Sequence, residues 1–149
     1  MIIADTGFFI ALLNEEDRHH KSAKEFLRQL QEPLITTWPV LTEICHILLR
    51  RGGTFPMTQF IGQIMRGSCE IFHISKDLYP RIPKLIAKYR ELPMDLADAS
   101  LVVLAEHLGH GRIVSTDERD FKTYRWKQHK PFENLLLHRD GEIYTVRNK

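Results

Sequence analysis

An α/β domain on a mostly parallel sheet is what this 149-residue sequence predicts. Short apolar runs of strand length alternate with stretches striped at helical spacing, and Pro and Gly fall where the helices should start and stop. No internal repeat, low-complexity tract or Pro/Gly/Ser linker divides the chain. In sheets of this kind ligands gather at the carboxyl ends of the strands. Chemistry is therefore expected in the residues that follow each strand.

Ile2-Ile3-Ala4 reads as a short buried strand, with a helix from Gly7 to Leu13 directly after it. Ala23, Phe26, Leu27 and Leu30 fall on one face of a second helix, with Lys24, Glu25 and Arg28 outside. Leu34 to Thr37 is a second strand. Pro39 suits the first turn of the next helix, which Gly52-Gly53 stops. Met57, Phe60, Ile61, Ile64 and Met65 stripe another helix that ends at Gly67. Glu70 to Ile74 is the third strand. Leu78, Ile82, Leu85, Ile86 and Tyr89 stripe a helix that gives way near Pro93. A further helix starts near Asp95 and ends at Gly109 or Gly111, and Ile113-Val114-Ser115 is a fourth buried strand. Beyond it the pattern weakens to a short strand near Leu135-Leu136-Leu137, then a turn at Arg139-Asp140-Gly141 into Ile143-Tyr144-Thr145-Val146. That predicts one domain over residues 1–149, a core of about 1–137 and a closing hairpin of about 135–147.

Composition excludes several classes. Apolar residues at 43% and charged residues at 27% are ordinary for a globular chain and rule out disorder or a collagen-like repeat. No apolar run approaches the roughly 20 residues that span a bilayer, and the N-terminus has no basic segment, so neither a membrane anchor nor a signal peptide is expected. Cys45 and Cys69 are isolated, as suits a reducing cytoplasm. Residues 1–118 carry thirteen Lys/Arg and fifteen Asp/Glu, whereas residues 119–149 carry eight and four. A basic final quarter on an acidic remainder is compatible with a polyanionic substrate, and equally with a solvated surface.

Four acids stand where the pattern calls for hydrocarbon. Asp5 follows the first strand and Asp117 the fourth. Glu43 sits among Val40, Ile44, Ile47 and Leu48 on one helix face. Asp98 heads the stripe Leu101, Val102, Ala105, with Asp95 one turn before it. An ionised carboxylate removed from water is costly unless a cation or strong donors meet it. Four of them near one sheet edge call for a shared counter-charge, and clustered oxygens are the ligands Mg²⁺ and Mn²⁺ prefer. With such ions the natural chemistry is hydrolysis at phosphate. Simpler roles stay open at each position. Asp95 and Asp98 fit an N-cap and its N3 partner. Asp117 fits a turn cap, Glu43 an ion pair with an arginine, and Asp120 a structural role.

In order and spacing, these residues resemble the PIN-domain nucleases, and within them the VapC-like ribonuclease toxins. Ile2-Ile3-Ala4-Asp5-Thr6-Gly7 is similar to the first acidic motif of that family and Thr42-Glu43 to the second. Asp95-Leu96-Ala97-Asp98-Ala99-Ser100 resembles the third. Ser115-Thr116-Asp117-Glu118-Arg119-Asp120-Phe121 resembles the fourth, with one extra residue before its second Asp. The match runs from residue 1 to about 137. It implies a three-layer α/β/α sandwich with a mostly parallel central sheet, Mg²⁺- or Mn²⁺-dependent endonucleolytic hydrolysis of RNA, a homodimer, and an antitoxin protein as partner. By the same resemblance Asp5 and Asp98 are the main metal ligands, Glu43 holds metal or orients the attacking water, and Asp117 completes the site. Thr6 and Thr116 are implied as donors to those acids. The chain departs from the compact toxin pattern by continuing past Leu137, and stand-alone PIN proteins also serve RNA processing.

Other chemistry finds less support. His19-His20 and His107/His110 lack the Cys or third His that zinc spacing needs. Tyr124 and Trp126 are candidates to contact RNA by stacking, and Arg119, Lys122, Arg125 and Lys127 by charge, whereas core packing is expected of Trp38. Asp5 as a phosphorylated nucleophile is disfavoured, because Gly7 stands where a second Asp is usual and no receiver-type acid pair is present. A non-catalytic RNA- or protein-binding module on the same fold is the remaining alternative, and retention of all four acids speaks against it.

Overall fold

The computed structural model describes residues 1–136. Of the hairpin predicted over about 135–147, all beyond residue 136 lies outside the described residues. Strands β1 (Ile2–Ala4), β2 (Leu34–Thr37), β3 (Glu70–Phe72) and β4 (Arg112–Val114) form where expected, β3 and β4 each ending short of the prediction. Helices α1 (Thr6–Leu13), α2 (His20–Gln29), α3 (Trp38–Gly52), α4 (Thr54–Met65), α5 (Arg81–Lys88) and α6 (Leu96–Leu108) fill the connections. Among the described residues no helix is long and apolar enough to cross a membrane.

After β4 come three elements that the sequence pattern does not show. These are α7 (Asp120–Thr123) and the antiparallel pair β5 (Arg125–Trp126) and β6 (Lys130–Pro131). The loop between β5 and β6 puts Lys127 and Gln128 at positive φ without the Asn-Gly or Asp-Gly that normally announces such a turn. The last described strand, β7 (Glu133–Asn134), precedes the predicted position near Leu135.

The main sheet runs β3-β2-β1-β4-β7 with every pairing parallel. All of β1 and β2 is buried, as expected where helices cover both faces of a parallel sheet. Strand order changes direction at β1, which has β2 on one side and β4 on the other. A crevice opens at the carboxyl ends of two such strands because their crossovers depart to opposite faces. The residues after β1 and β4 are Asp5 and Ser115, so the topology delivers the first and fourth motifs to that crevice.

Helix α6 is apolar almost all round and calls for more than one covering surface. Those surfaces come from this chain, since α6 packs on α3, α5, β1, β2 and β5. Residues 99 to 105 are all buried, and a positive φ at Gly109 ends the helix in the left-handed form. The apolar surface of α6 therefore gives no reason of its own for a dimer. Two predicted stripes are narrower than the pattern suggested. Leu27 is exposed although Ala23 and Phe26 are buried, and in α4 only Phe60 is buried while Ile61 and Met65 face solvent. Helix α4 rests chiefly on α3, so one narrow face suffices. The helix predicted from Leu78 is split into a 3₁₀ turn at Lys76–Leu78 and α5, because Pro80 has no N–H to continue the ladder.

Candidate active site

Asp5 ends β1 and caps α1, its Oδ1 accepting from the Phe8 amide at 3.0 Å. Its Oδ2 accepts from the Ser115 hydroxyl. Burial pushes the carboxyl up to about 7; the Ser115 and Phe8 hydrogen bonds oppose the rise, and the nearby Asp117 and Glu43 charges add to it. Gly7 fits closely beside it, because a Cβ there would overlap the Thr116 hydroxyl oxygen.

Asp98 occupies the first turn of α6, where Asp95 caps the helix by accepting from the Asp98 amide at 2.8 Å. Burial, then the Asp95 charge, push Asp98 up to about 7 against a 3.0 Å hydrogen bond from the Tyr124 hydroxyl. Glu43 reaches the cleft from α3, half-buried. Burial raises its carboxyl and Asp95 raises it further, while the Thr6 hydroxyl lowers it. Asp117 follows β4; its amide donates to the Ser115 Oγ at 2.9 Å, and its Oδ1 accepts from the amides of Arg119 (3.1 Å) and Asp120 (2.8 Å). Its carboxyl is raised by burial and by Asp120. Asp120 is buried and pairs with the Arg119 Nε at 2.9 Å.

These side chains line one open cleft of about 380 Å³, roomy enough for a hydrated ion and a phosphodiester. Seven carboxylates face it: Asp5, Asp17, Glu43, Asp95, Asp98, Asp117 and Asp120. Thr6 and Thr116 lie among them, and no Lys, Arg or His of the described residues lines it. All four acids singled out from the sequence thus come together. Two of the simpler roles hold as well, since Asp95 is an N-cap and Asp117 a turn cap while both face the cleft. Among the described residues, no three Asp, Glu, His or Cys side chains stand ready to grip an ion. Asp5 is turned to Ser115 and Asp98 to Tyr124. The all-oxygen donor set still suits a hard divalent cation, and burial with neighbouring carboxylates raises Asp5 and Asp98.

Several sequence-based roles need correction. Tyr124 is completely buried, packed edge-on against Tyr89 and Phe121, so it supports Asp98 and is closed to RNA. Trp126 is also buried, its indole N–H donating to Pro131, with Lys127 and Lys130 over its ring. The Arg125 guanidinium folds onto the carbonyls of Lys122, Thr123 and Tyr124 at 2.7–3.1 Å, so it caps α7. Lys122 and Lys127 remain exposed. Trp38 is 54% exposed, contrary to the core packing expected of it. Sequence reasoning missed Ser115 as the link between Asp5 and Asp117; its place between strand and acid was the one local signal. It also missed Asp17 and the Tyr124 support of Asp98, for which the sequence carries no local signal.

A family model described as the PIN domain matches residues 2–127. The chain is similar to Ribonuclease VapC26 of Mycobacterium tuberculosis, 22% identical over 124 residues that cover 83% of this chain and 92% of that protein. Its fold is similar to the crystal structure of Mycobacterium tuberculosis VapC20, described as a Sarcin-Ricin loop cleaving toxin. The TM-score is 0.73 at 23% identity, over 80% of this chain and 92% of the other.

Proposed function

Because the chain belongs to the PIN domain family, we propose that it is a metal-dependent endoribonuclease, the toxin of a toxin–antitoxin pair. The observation that carries this is the cleft itself: seven carboxylates, no lining cation among the described residues, and Asp5 and Asp98 both raised to about 7. With its carboxylates ionised, such a cleft is unfavourable unless a cation enters it. The similar proteins support the substrate class, as one is a ribonuclease and the other a Sarcin-Ricin loop cleaving toxin by name.

In this reading Asp5, Asp98, Glu43 and Asp117 hold Mg²⁺ or Mn²⁺. When bound, the ion offsets phosphate charge and eases deprotonation of water. Ser115 orients Asp5 and Asp117 together, since its hydroxyl donates to one and its oxygen accepts from the amide of the other. Tyr124 orients Asp98, and Thr6 supports the charged form of Glu43. Glu43, half-buried beside these acids, holds metal or takes a proton from the attacking water. Arg119, tied by Nε to Asp120 and by Nη2 to the Leu92 carbonyl yet largely exposed, meets substrate phosphate at the rim, as do Lys122 and Lys127. We read the chain as one cytoplasmic domain that acts as a homodimer and is held in check by an antitoxin protein.

The test is cleavage of single-stranded RNA by purified protein. Activity with Mg²⁺ or Mn²⁺ that EDTA stops is the expected result. Cleavage that survives both EDTA and repeated repurification would overturn the mechanism, and so would binding without cleavage under any divalent ion.

A further inference from the structure

We propose that Trp38, held by His73, is a stacking platform for an unpaired base of the RNA substrate, and so a determinant of single-strand preference. The inference rests on the ribonuclease reading and adds to it a binding site outside the acidic cleft. Trp38 opens α3 and is more than half exposed. It is nevertheless held in place. Its indole N–H donates to the His73 Nδ1 at 3.2 Å, and the two rings meet edge-on with centroids 6.1 Å apart. The polar edge of the indole is thus satisfied by protein, while more than half of the side chain stays in water. Trp126 differs, being buried beneath two lysines.

Position gives the exposed ring its meaning. Ile3 pairs with Ile35, so two places further along Thr37 stands level with Asp5, and Trp38 follows it. The Thr36 hydroxyl donating to the Ala4 carbonyl holds that alignment. Phe72 pairs with Thr37, which places His73 beside Trp38. The Trp38–His73 pair therefore sits at the carboxyl edge of β2 and β3, and the acids sit at the carboxyl edge of the neighbouring β1 and β4. Adjacent strands are about 4.8 Å apart. A strand of RNA with a phosphate at Asp5 passes along this edge, and an unpaired base on it meets the indole. Stacking on an aromatic ring accepts any base but needs that base unpaired.

The test uses Asp98→Asn protein in Mg²⁺, so that binding is read without cleavage, with short oligoadenylate, oligouridylate and duplex RNA as probes. The single strands should quench the fluorescence of Trp38, one of only two tryptophans in the chain. Trp38→Leu should bind them about tenfold more weakly and Trp38→Phe less so, with duplex affinity unchanged in both. His73→Ala should lose part of the same affinity, and His73→Gln, which still accepts from the indole N–H, should recover it. Unchanged single-strand affinity in Trp38→Leu overturns the platform, as does an equal loss for duplex. A Trp38→Leu protein that sediments as a smaller species also overturns it, by making the ring a contact between subunits. If the parent protein neither binds RNA nor, with Asp98 restored, cleaves it, the ribonuclease reading falls and this one with it. If it does both while Trp38→Leu binds normally, only the platform falls.

Discussion

Asp5 and Asp98 carry the sharpest residue-level predictions, because each is more basic in the folded chain than an ordinary aspartate. A carboxyl raised from 3.8 to about 7 means the folded protein holds a proton that the unfolded chain has released. Between those values the folded state binds more protons, so the stability these two groups contribute is complete below about pH 4 and is lost as pH rises through 7. Metal-free protein in EDTA should therefore melt higher near pH 5 than near pH 8. Asp5→Asn should flatten that difference and stabilise the protein at the upper pH by roughly 1–3 kcal/mol, while abolishing cleavage. Thermal melts of both proteins at the two pH values check this, and a wild-type protein more stable at pH 8 in EDTA would contradict it. Asp95 behaves differently under the same reasoning. Asparagine still caps a helix, so Asp95→Asn should keep the fold and most of the activity, whereas Asp95→Ala should cost about 1 kcal/mol of stability. Cleavage as damaged by Asp95→Asn as by Asp98→Asn would instead make Asp95 a ligand.

At the scale of elements, α1 begins in close contact with the turn after β4. The Thr116 hydroxyl lies where a Cβ of residue 7 would go. Gly7→Ala gains helix propensity of about 1 kcal/mol but overpacks this contact, a cost of about 1–3 kcal/mol. It should therefore be destabilising alone, and neutral or stabilising in a Thr116→Ala background where the clashing oxygen is gone. Denaturant unfolding of the two singles and the double measures that coupling, and simple additivity would show that the turn relaxes independently of α1. Such dependence between elements also explains which stripes misled. Met57, Ile61, Ile64 and Met65 have helical spacing, yet α4 leans chiefly on α3 and buries only Phe60. Spacing shows that a helix has an apolar face; how much of that face is covered depends on what lies opposite.

At the scale of the molecule, the proposed function sets an acidic cleft beside a basic segment, so that basic side chains would offset the phosphates that the cleft's own charge repels. RNA affinity should fall as salt rises, because each neutralised phosphate releases counterions. Lys122→Glu with Lys127→Glu should weaken RNA binding and flatten the salt dependence, by about one unit of slope for each phosphate no longer neutralised, leaving metal affinity unchanged. Arg125 is excluded from this test because its guanidinium caps α7, so its loss would act through stability. An unaltered salt slope in the double reversal would remove the proposed basic path. Sedimentation at micromolar concentration tests the dimer, for which α6 provides no argument once its apolar surface is covered from within the chain.

Legible in the sequence alone were the parallel α/β architecture, the four main strands, the major helices, and the acids Asp5, Glu43, Asp98 and Asp117. All of these rest on local physics. Period, caps, breakers and a charge set among hydrocarbon are properties of neighbouring residues, and they survive whatever the rest of the chain does. Other features were decided by the tertiary structure. Strand order put β1 between β2 and β4 and so created the crevice. It also brought Ser115 to Asp5, 110 residues away, and Tyr124 to Asp98. The same packing reversed the expectations for three aromatic residues, burying Tyr124 and Trp126 and leaving Trp38 in water. Burial of an aromatic ring depends on the volume available beside it, and that volume is enclosed by elements distant in sequence. The charge pattern could therefore locate the acids, but only the packed structure could show which donors hold them and which ring is left exposed.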